Sequence, residues 1–268
     1  MSIALTAPAK LTLSLRIIGV RPDGFHLIDA EMVTLDLADV VTVDPDRTGV
    51  TITGPYADGV PSDDRNLAVR ALPSPAALTI DKRIPHGGGL GGGSADAAAV
   101  LRWGGHPRDA DGLVAAAALG ADVAFCLVGG RARVRGIGEI VEPLPFLDQR
   151  VTLVVPPERV STPLAYRAWD ELGGPTAPGP NDLEPAALRA VPGLARWRDR
   201  IGDATGRTPV LAGSGATWFV YGEHSDALAA LGDEGVEIIA ARTTPASMTP
   251  VERNGRSEGG SSAVGRLR

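Results

Sequence analysis

Residues 84–97 read Ile-Pro-His-Gly-Gly-Gly-Leu-Gly-Gly-Gly-Ser-Ala-Asp-Ala, with six glycines between Gly87 and Gly93. Glycines do no chemistry themselves. Their lack of a side chain lets backbone close on a ligand with successive N–H groups turned inward. Good helix formers follow (Ala97, Ala98, Ala99, Leu101), so the loop would hand its ligand to a helix N-terminus. Unpaired N–H groups and the positive dipole end there suit a di- or triphosphate. A flexible loop without a ligand is the plain alternative. Two better-known phosphate loops do not match. Gly93-Ser94 has no lysine between its members, and no acidic residue lies about 20 positions on within a βαβ unit.

Asp122 stands in Leu119-Gly120-Ala121-Asp122-Val123-Ala124-Phe125, apolar on both sides, and is expected to be buried. A buried carboxylate must be paired, protonated or functional, and a neighbouring cation would hold it ionised and ready to accept a proton. Capping a short following helix or turn is the other reading. Lys10, in Ala7-Pro8-Ala9-Lys10-Leu11, is the available cation, although a lysine entering a strand is by default in solvent.

The elements that must carry these residues can be outlined. Leu11, Leu13, Leu15 and Ile17 alternate with Thr12, Ser14 and Arg16, predicting a strand that ends at the turn Arg21-Pro22-Asp23-Gly24. Extended runs over 32–43 and 50–53 complete an antiparallel start. A short helix over 67–72, a strand over 76–82 and helices over 94–103 and 109–119 follow. Strands are expected over 123–128 and 131–137. Beyond a boundary near 143–150 the pattern predicts a strand (151–155), helices (163–172 and 183–201), strands (210–211 and 217–221), a helix (225–231) and a strand (236–241). The fold class expected is α+β, with domains at 1–148 and 149–248 and a disordered polar tail over 249–268.

Composition narrows the partners. The chain has 268 residues, a formal net charge of −6, 44% hydrophobic and 4% aromatic residues, without a large Lys/Arg cluster. That argues against nucleic acid and for a small molecule. Cys126, the one cysteine, excludes an intrachain disulfide and multi-cysteine metal sites. Residues 113–130 carry the single charge Asp122, which a membrane span would place near mid-bilayer at roughly 2.5–3.5 kcal/mol. The run is read instead as core of a cytoplasmic protein without a membrane.

Taken together, Ala7-Pro8-Ala9-Lys10-Leu11, the loop from Pro85 to Ala95, and Leu211-Ala212-Gly213-Ser214-Gly215-Ala216 resemble, in order, the three motifs of the GHMP kinase superfamily. Further segments resemble its diphosphocytidyl-methylerythritol kinase branch. These are residues 21–26 (Arg-Pro-Asp-Gly-Phe-His), 119–123, 136–139 (Gly-Ile-Gly-Glu), 161–163 and 181–184 (Asn-Asp-Leu-Glu).

The resemblance implies a two-domain GHMP kinase architecture with the active site in the interdomain cleft. It implies phosphorylation of the 2-hydroxyl of a cytidine diphosphate derivative by ATP with Mg²⁺, in isoprenoid precursor synthesis, by a monomer or homodimer. Asp122 becomes the general base and Lys10 its partner. The ATP phosphates would lie on Pro85, His86, Gly87, Gly88, Gly89, Leu90, Gly91, Gly92, Gly93, Ser94 and Ala95. Phe25 and His26 would recognise cytosine, Tyr166 would supply a second stacking face, and Asn181, Gly213 and Ser214 would lie near the substrate. Other kinases of the superfamily (homoserine or mevalonate types) and a non-catalytic nucleotide binder are the alternatives. The chain departs from the family pattern at Thr12 for Asn, Phe25 for Tyr and Ala95 for Ser, and in two shortened helices, 66–72 and 97–103.

Overall fold

Two long strands set the frame of the structure, a computed structural model that describes residues 1–246. Strand β1 (Ile3–Val20) runs antiparallel to β2 (His26–Asp44) along nearly its whole length. The expected turn joins them, the Gly24 N–H donating to the Arg21 carbonyl at 2.9 Å. The other edge of β2 is shared by β5 (Arg131–Gly136), by β10 (Glu237–Thr244) at Thr34 and Leu35, and by β4 (Ala77–Asp81). Strand β3 (Gly49–Thr53) adds to β4 in parallel, and β6 (Ile140–Leu144) pairs with β5. Beyond β10 the sheet continues through β7 (Arg150–Val155), β9 (Trp218–Tyr221) and β8 (Val210–Leu211). Strand β10, late in the chain, thus ties the second half of the protein to the first.

Helices cover this frame. Asn66 caps α1 (Leu67–Arg70), its Oδ1 accepting from the Ala68 N–H at 2.9 Å. Helix α2 (Gly92–Trp103) follows the glycine loop with residues 95–101 all buried, because β1 and the other helices enclose it. Helix α3 (Ala110–Leu119) starts at Asp109, whose carboxylate caps the Gly112 N–H. Helices α5 (Thr162–Glu171), α6 (Glu184–Ala190), α7 (Gly193–Thr205) and α8 (Ser225–Leu228) belong to the second half.

Several expectations are corrected. Residues 123–128 form a helix, α4 (Val123–Val128), rather than a strand. A short run that is apolar throughout has no period to read, and this one lies against α2 and α3 rather than beside a sheet edge. The single helix expected over 183–201 is two, because the chain breaks at Val191-Pro192. The helix expected over 225–231 is one α turn followed by a 3₁₀ segment, Ala229–Glu234. The tail over 249–268 lies outside the described residues. Among those that are described, no helix is long and apolar enough to cross a membrane, and 113–130 folds as α3, a turn and α4.

Candidate active site

The middle of β1 is buried on both faces. Leu11, Leu13 and Leu15 face the core as expected, but Lys10 (4% exposed) and Thr12 (1%) are buried too. Irregularities in the β1–β2 register flank Lys10-Leu11-Thr12 on either side, between Pro8 and Lys10 and between Thr12 and Ser14, the kind of bulge that re-aims a side chain. Lys10 Nζ lies 3.3 Å from Asp122 Oδ2 and 3.1 Å from Thr12 Oγ1. The default of a solvent-exposed lysine therefore fails: the opposite face of β1 is roofed by the glycine loop and by the start of α4.

Asp122 is not fully buried, its side chain remaining 32% exposed. It occupies the N-cap position of α4 but makes no side-chain capping bond, so its oxygens stay available toward Lys10 and the open space beside it. The turn of residues 136–139 seats this segment: a Cβ on Gly138 would lie 2.3 Å from the Ala121 carbonyl oxygen, an approach that only glycine permits. Cys126, one helical turn on, is excluded as a nucleophile, since burial pushes its thiol up to about 12.

The glycine loop is bound on both sides by these pieces. The Lys10 N–H donates to the Leu90 carbonyl at 3.0 Å, and a Cβ on Gly91 (φ 69°) would meet Lys10 Cγ at 2.7 Å. On the other side, the Thr217 N–H donates to the Gly88 carbonyl, which ties in the segment after the third motif. Gly93 is exposed, with nothing near its missing side chain, and the helix begins at Gly92 with Gly91 in the left-handed conformation. Gly91, at the N-cap of α2, accordingly packs directly on the Lys10 side chain. Of the remaining loop residues, Pro85, Leu90 and Ala95 are buried, Ser94 is half-buried, and the His86 ring turns away to the Asp58 carbonyl at 2.6 Å. A second, smaller cavity of about 150 Å³ lies at the Pro85–Gly88 end of the loop.

From Asp122 a cavity of about 770 Å³ opens, within the range of small-molecule sites. Lys10, Thr12, Phe25, His26, Tyr166, Gly213 and Ser214 all line it, so residues from 10 to 214 converge on one space. In its wall the His26 and Tyr166 rings lie with centroids 4.7 Å apart. The Phe25 ring is 56% exposed at the mouth. Burial, with the Asp122 charge adding, raises the Tyr166 hydroxyl above its ordinary value. Ser214 Oγ lies 3.0 Å from Thr162 Oγ1, linking the third motif to the start of α5.

Asn181 is placed differently from the rest. It is 1% exposed and does not line the cavity. Its Nδ2 donates to the Leu211 and Gly213 carbonyls at 2.9 and 2.6 Å, and its Oδ1 accepts from the Leu183 N–H. It acts on the site by holding the Gly213 turn. Asp182 beside it accepts from Arg16 and from the Ile17 and Ala177 N–H groups, which docks the segment on β1.

Residue patterning missed a second ion cluster, under the glycine loop. Lys82 Nζ pairs with Asp39 and, at 2.6 Å, with Asp96 Oδ2, all three being at most 2% exposed. Asp39 Oδ1 also accepts from the Arg83 and Ile84 N–H groups at the entry to the loop. Burial, and secondarily the Asp39 charge, push Asp96 up to about 7 against the pull of Lys82, and its Oδ1 has no partner among the described residues. The only signal in the sequence was a lysine at the end of the strand expected over 76–82.

Comparison with known proteins bears on this arrangement. Residues 65–130, from α1 through the loop to the end of α4, match the GHMP kinases N terminal domain. A 4-diphosphocytidyl-2-C-methyl-D-erythritol kinase of Paracoccus denitrificans is 40% identical over 236 residues, covering 80% of this chain and 84% of that one. A protein of the same name from Jannaschia sp. is 38% identical, covering 80% and 86%. The crystal structure of a 4-(cytidine 5'-diphospho)-2C-methyl-D-erythritol kinase superposes with a TM-score of 0.71 at 34% identity, covering 90% of this chain and 99% of that one. The α+β architecture is thus that of the GHMP kinases. With identities of 34–40% over 80–90% of its length, the chain belongs to the 4-diphosphocytidyl-2-C-methyl-D-erythritol kinase family.

Proposed function

We propose that this kinase transfers the γ-phosphoryl group of ATP to the 2-hydroxyl of 4-diphosphocytidyl-2-C-methyl-D-erythritol. The observation that carries the reading is a single cavity lined both by the Lys10–Asp122 pair and by the His26 and Tyr166 rings. An alcohol carried on a nucleotide would place its base among the rings and its hydroxyl at the carboxylate.

Asp122 accepts the hydroxyl proton as the oxygen forms its bond to the γ-phosphorus, while the bond from that phosphorus to the β–γ bridging oxygen breaks and releases ADP. Lys10, 3.3 Å from Asp122, neutralises charge on the phosphoryl oxygens beside it. The loop and the first turn of α2 hold the phosphates through N–H groups, a fit supported by the open face at Gly93. Among the described residues, no cluster of three or more His, Cys, Asp or Glu side chains could hold a metal ion. Mg²⁺ fits here as the companion of the nucleotide, and when bound the pair supplies the phosphoryl group with its charge partly neutralised. Thr12 accepts a hydrogen bond from Lys10 and so helps orient the lysine.

The test is ADP release from Mg·ATP with 4-diphosphocytidyl-2-C-methyl-D-erythritol, run beside homoserine and mevalonate. Turnover of the cytidyl substrate alone is expected. Turnover of another alcohol in preference would move the substrate, and ATP binding without turnover of any would mark a nucleotide binder.

A further inference from the structure

His26 reaches beyond the cavity as well as lining it. Its Nε2 lies 2.8 Å from Asp170 Oδ1, at the far end of α5 and 144 residues along the chain. The ring is held between Tyr166 at 4.7 Å and the edge of Trp169 at 5.5 Å, both from the same helix as Asp170. Its side chain is only 10% exposed, and Nδ1 has no protein partner among the described residues. One nitrogen is thus committed to a carboxylate, and the other is left for whatever enters the cavity.

A carboxylate can only accept a hydrogen bond, so it keeps the proton of a neutral imidazole on Nε2 and leaves Nδ1 as an acceptor. The geometry points to Asp170 as a positioning residue that makes His26 selective for cytosine over uracil. The inference rests on the cavity being a cytidyl site. Cytosine presents an exocyclic amine that donates, and uracil presents in its place a carbonyl oxygen that accepts. A lone pair on Nδ1 receives the first and repels the second. The opposite tautomer would invert that choice. Asp170 is half-exposed, so its worth as an ion pair is small; placement of the proton carries the effect.

Asp170→Asn tests this in the full-length protein, because an amide can both donate to and accept from Nε2 and so removes the bias. With CDP and UDP as probes in calorimetry, the wild type is expected to prefer CDP by about tenfold or more, and Asp170→Asn to narrow that ratio by about tenfold. In turnover, KM for the cytidyl substrate rises while kcat and KM for ATP stay within about twofold. Nitrogen-15 spectra of His26 should show Nε2 protonated in the wild type and a mixture in the variant, a change that a merely structural contact would not produce. An unchanged CDP/UDP ratio in Asp170→Asn, or a wild-type proton on Nδ1, overturns the inference. If the wild type fails to turn over the cytidyl substrate, the functional reading falls, while the spectra and the CDP/UDP ratio still decide the role of Asp170.

Discussion

Two ion clusters flank the start of α2, and adjacent glycines face them. A Cβ on Gly91 would strike the Lys10 side chain, and one on Gly92 would press on Lys82 Nζ at 3.2 Å and Asp39 Oδ2 at 3.3 Å. On the Gly91 side one lysine meets one carboxylate that is a third open to the cavity. On the Gly92 side one lysine is sealed between two carboxylates with almost no exposure. The same residue types thus serve opposite ends. The open pair keeps a carboxylate oxygen available to a proton from outside. In the closed cluster the Asp39 oxygens go to Lys82 and to the backbone of Arg83 and Ile84, which holds the entry to the loop in place. Accessibility, more than charge, separates the proposed base from the scaffold here.

The largest effects should come from breaking each cluster in turn. Asp122→Asn removes the proton acceptor while keeping shape, and kcat should fall by about 10²–10⁴-fold with ATP affinity within a few-fold. Retained turnover, or lost ATP binding in equilibrium titration, would rule out the base assignment. Lys82→Met leaves two buried carboxylates without their cation and should cost about 3–5 kcal/mol in urea unfolding. A loss comparable to that of an exposed pair would show that the cluster is not the anchor described.

A smaller effect sharpens the contrast. Asp96 sits at about 7 in the fold against an ordinary 3.8, so the neutral form is favoured by burial. A carboxyl raised in this way contributes stability that is fully present below about pH 4 and lost as pH rises through 7. Asp96→Asn imitates the neutral form. The difference in melting temperature between Asp96→Asn and wild type should therefore move in favour of the variant by a few degrees from pH 5 to pH 8. Parallel profiles would mean that Asp96 stays ionised throughout.

Much of the frame was legible from local pattern. Alternation marked β1, and glycines and prolines marked the turns. Where pattern was silent the reading failed. Residues 123–128 are apolar without a period, and only the neighbours of α4 decide between strand and helix. Within the site, the loop, Lys10 and Asp122 were singled out by residue type and family resemblance. Asp170 and the Lys82 cluster were not, since each joins residues far apart in the chain.

Residue types and their order were sufficient to indicate a phosphate loop, a candidate acid–lysine pair and membership of a kinase family, because glycine runs, helix formers and motif spacing act over a few residues. Which carboxylate stays open, which lysine is sealed, that Asn181 serves the Gly213 turn rather than the cavity, and which nitrogen of His26 pairs with Asp170 were decided only by tertiary packing. Exposure and hydrogen-bond partners are properties of neighbours in space. The long strands β1 and β2 bring those neighbours together from opposite ends of the chain.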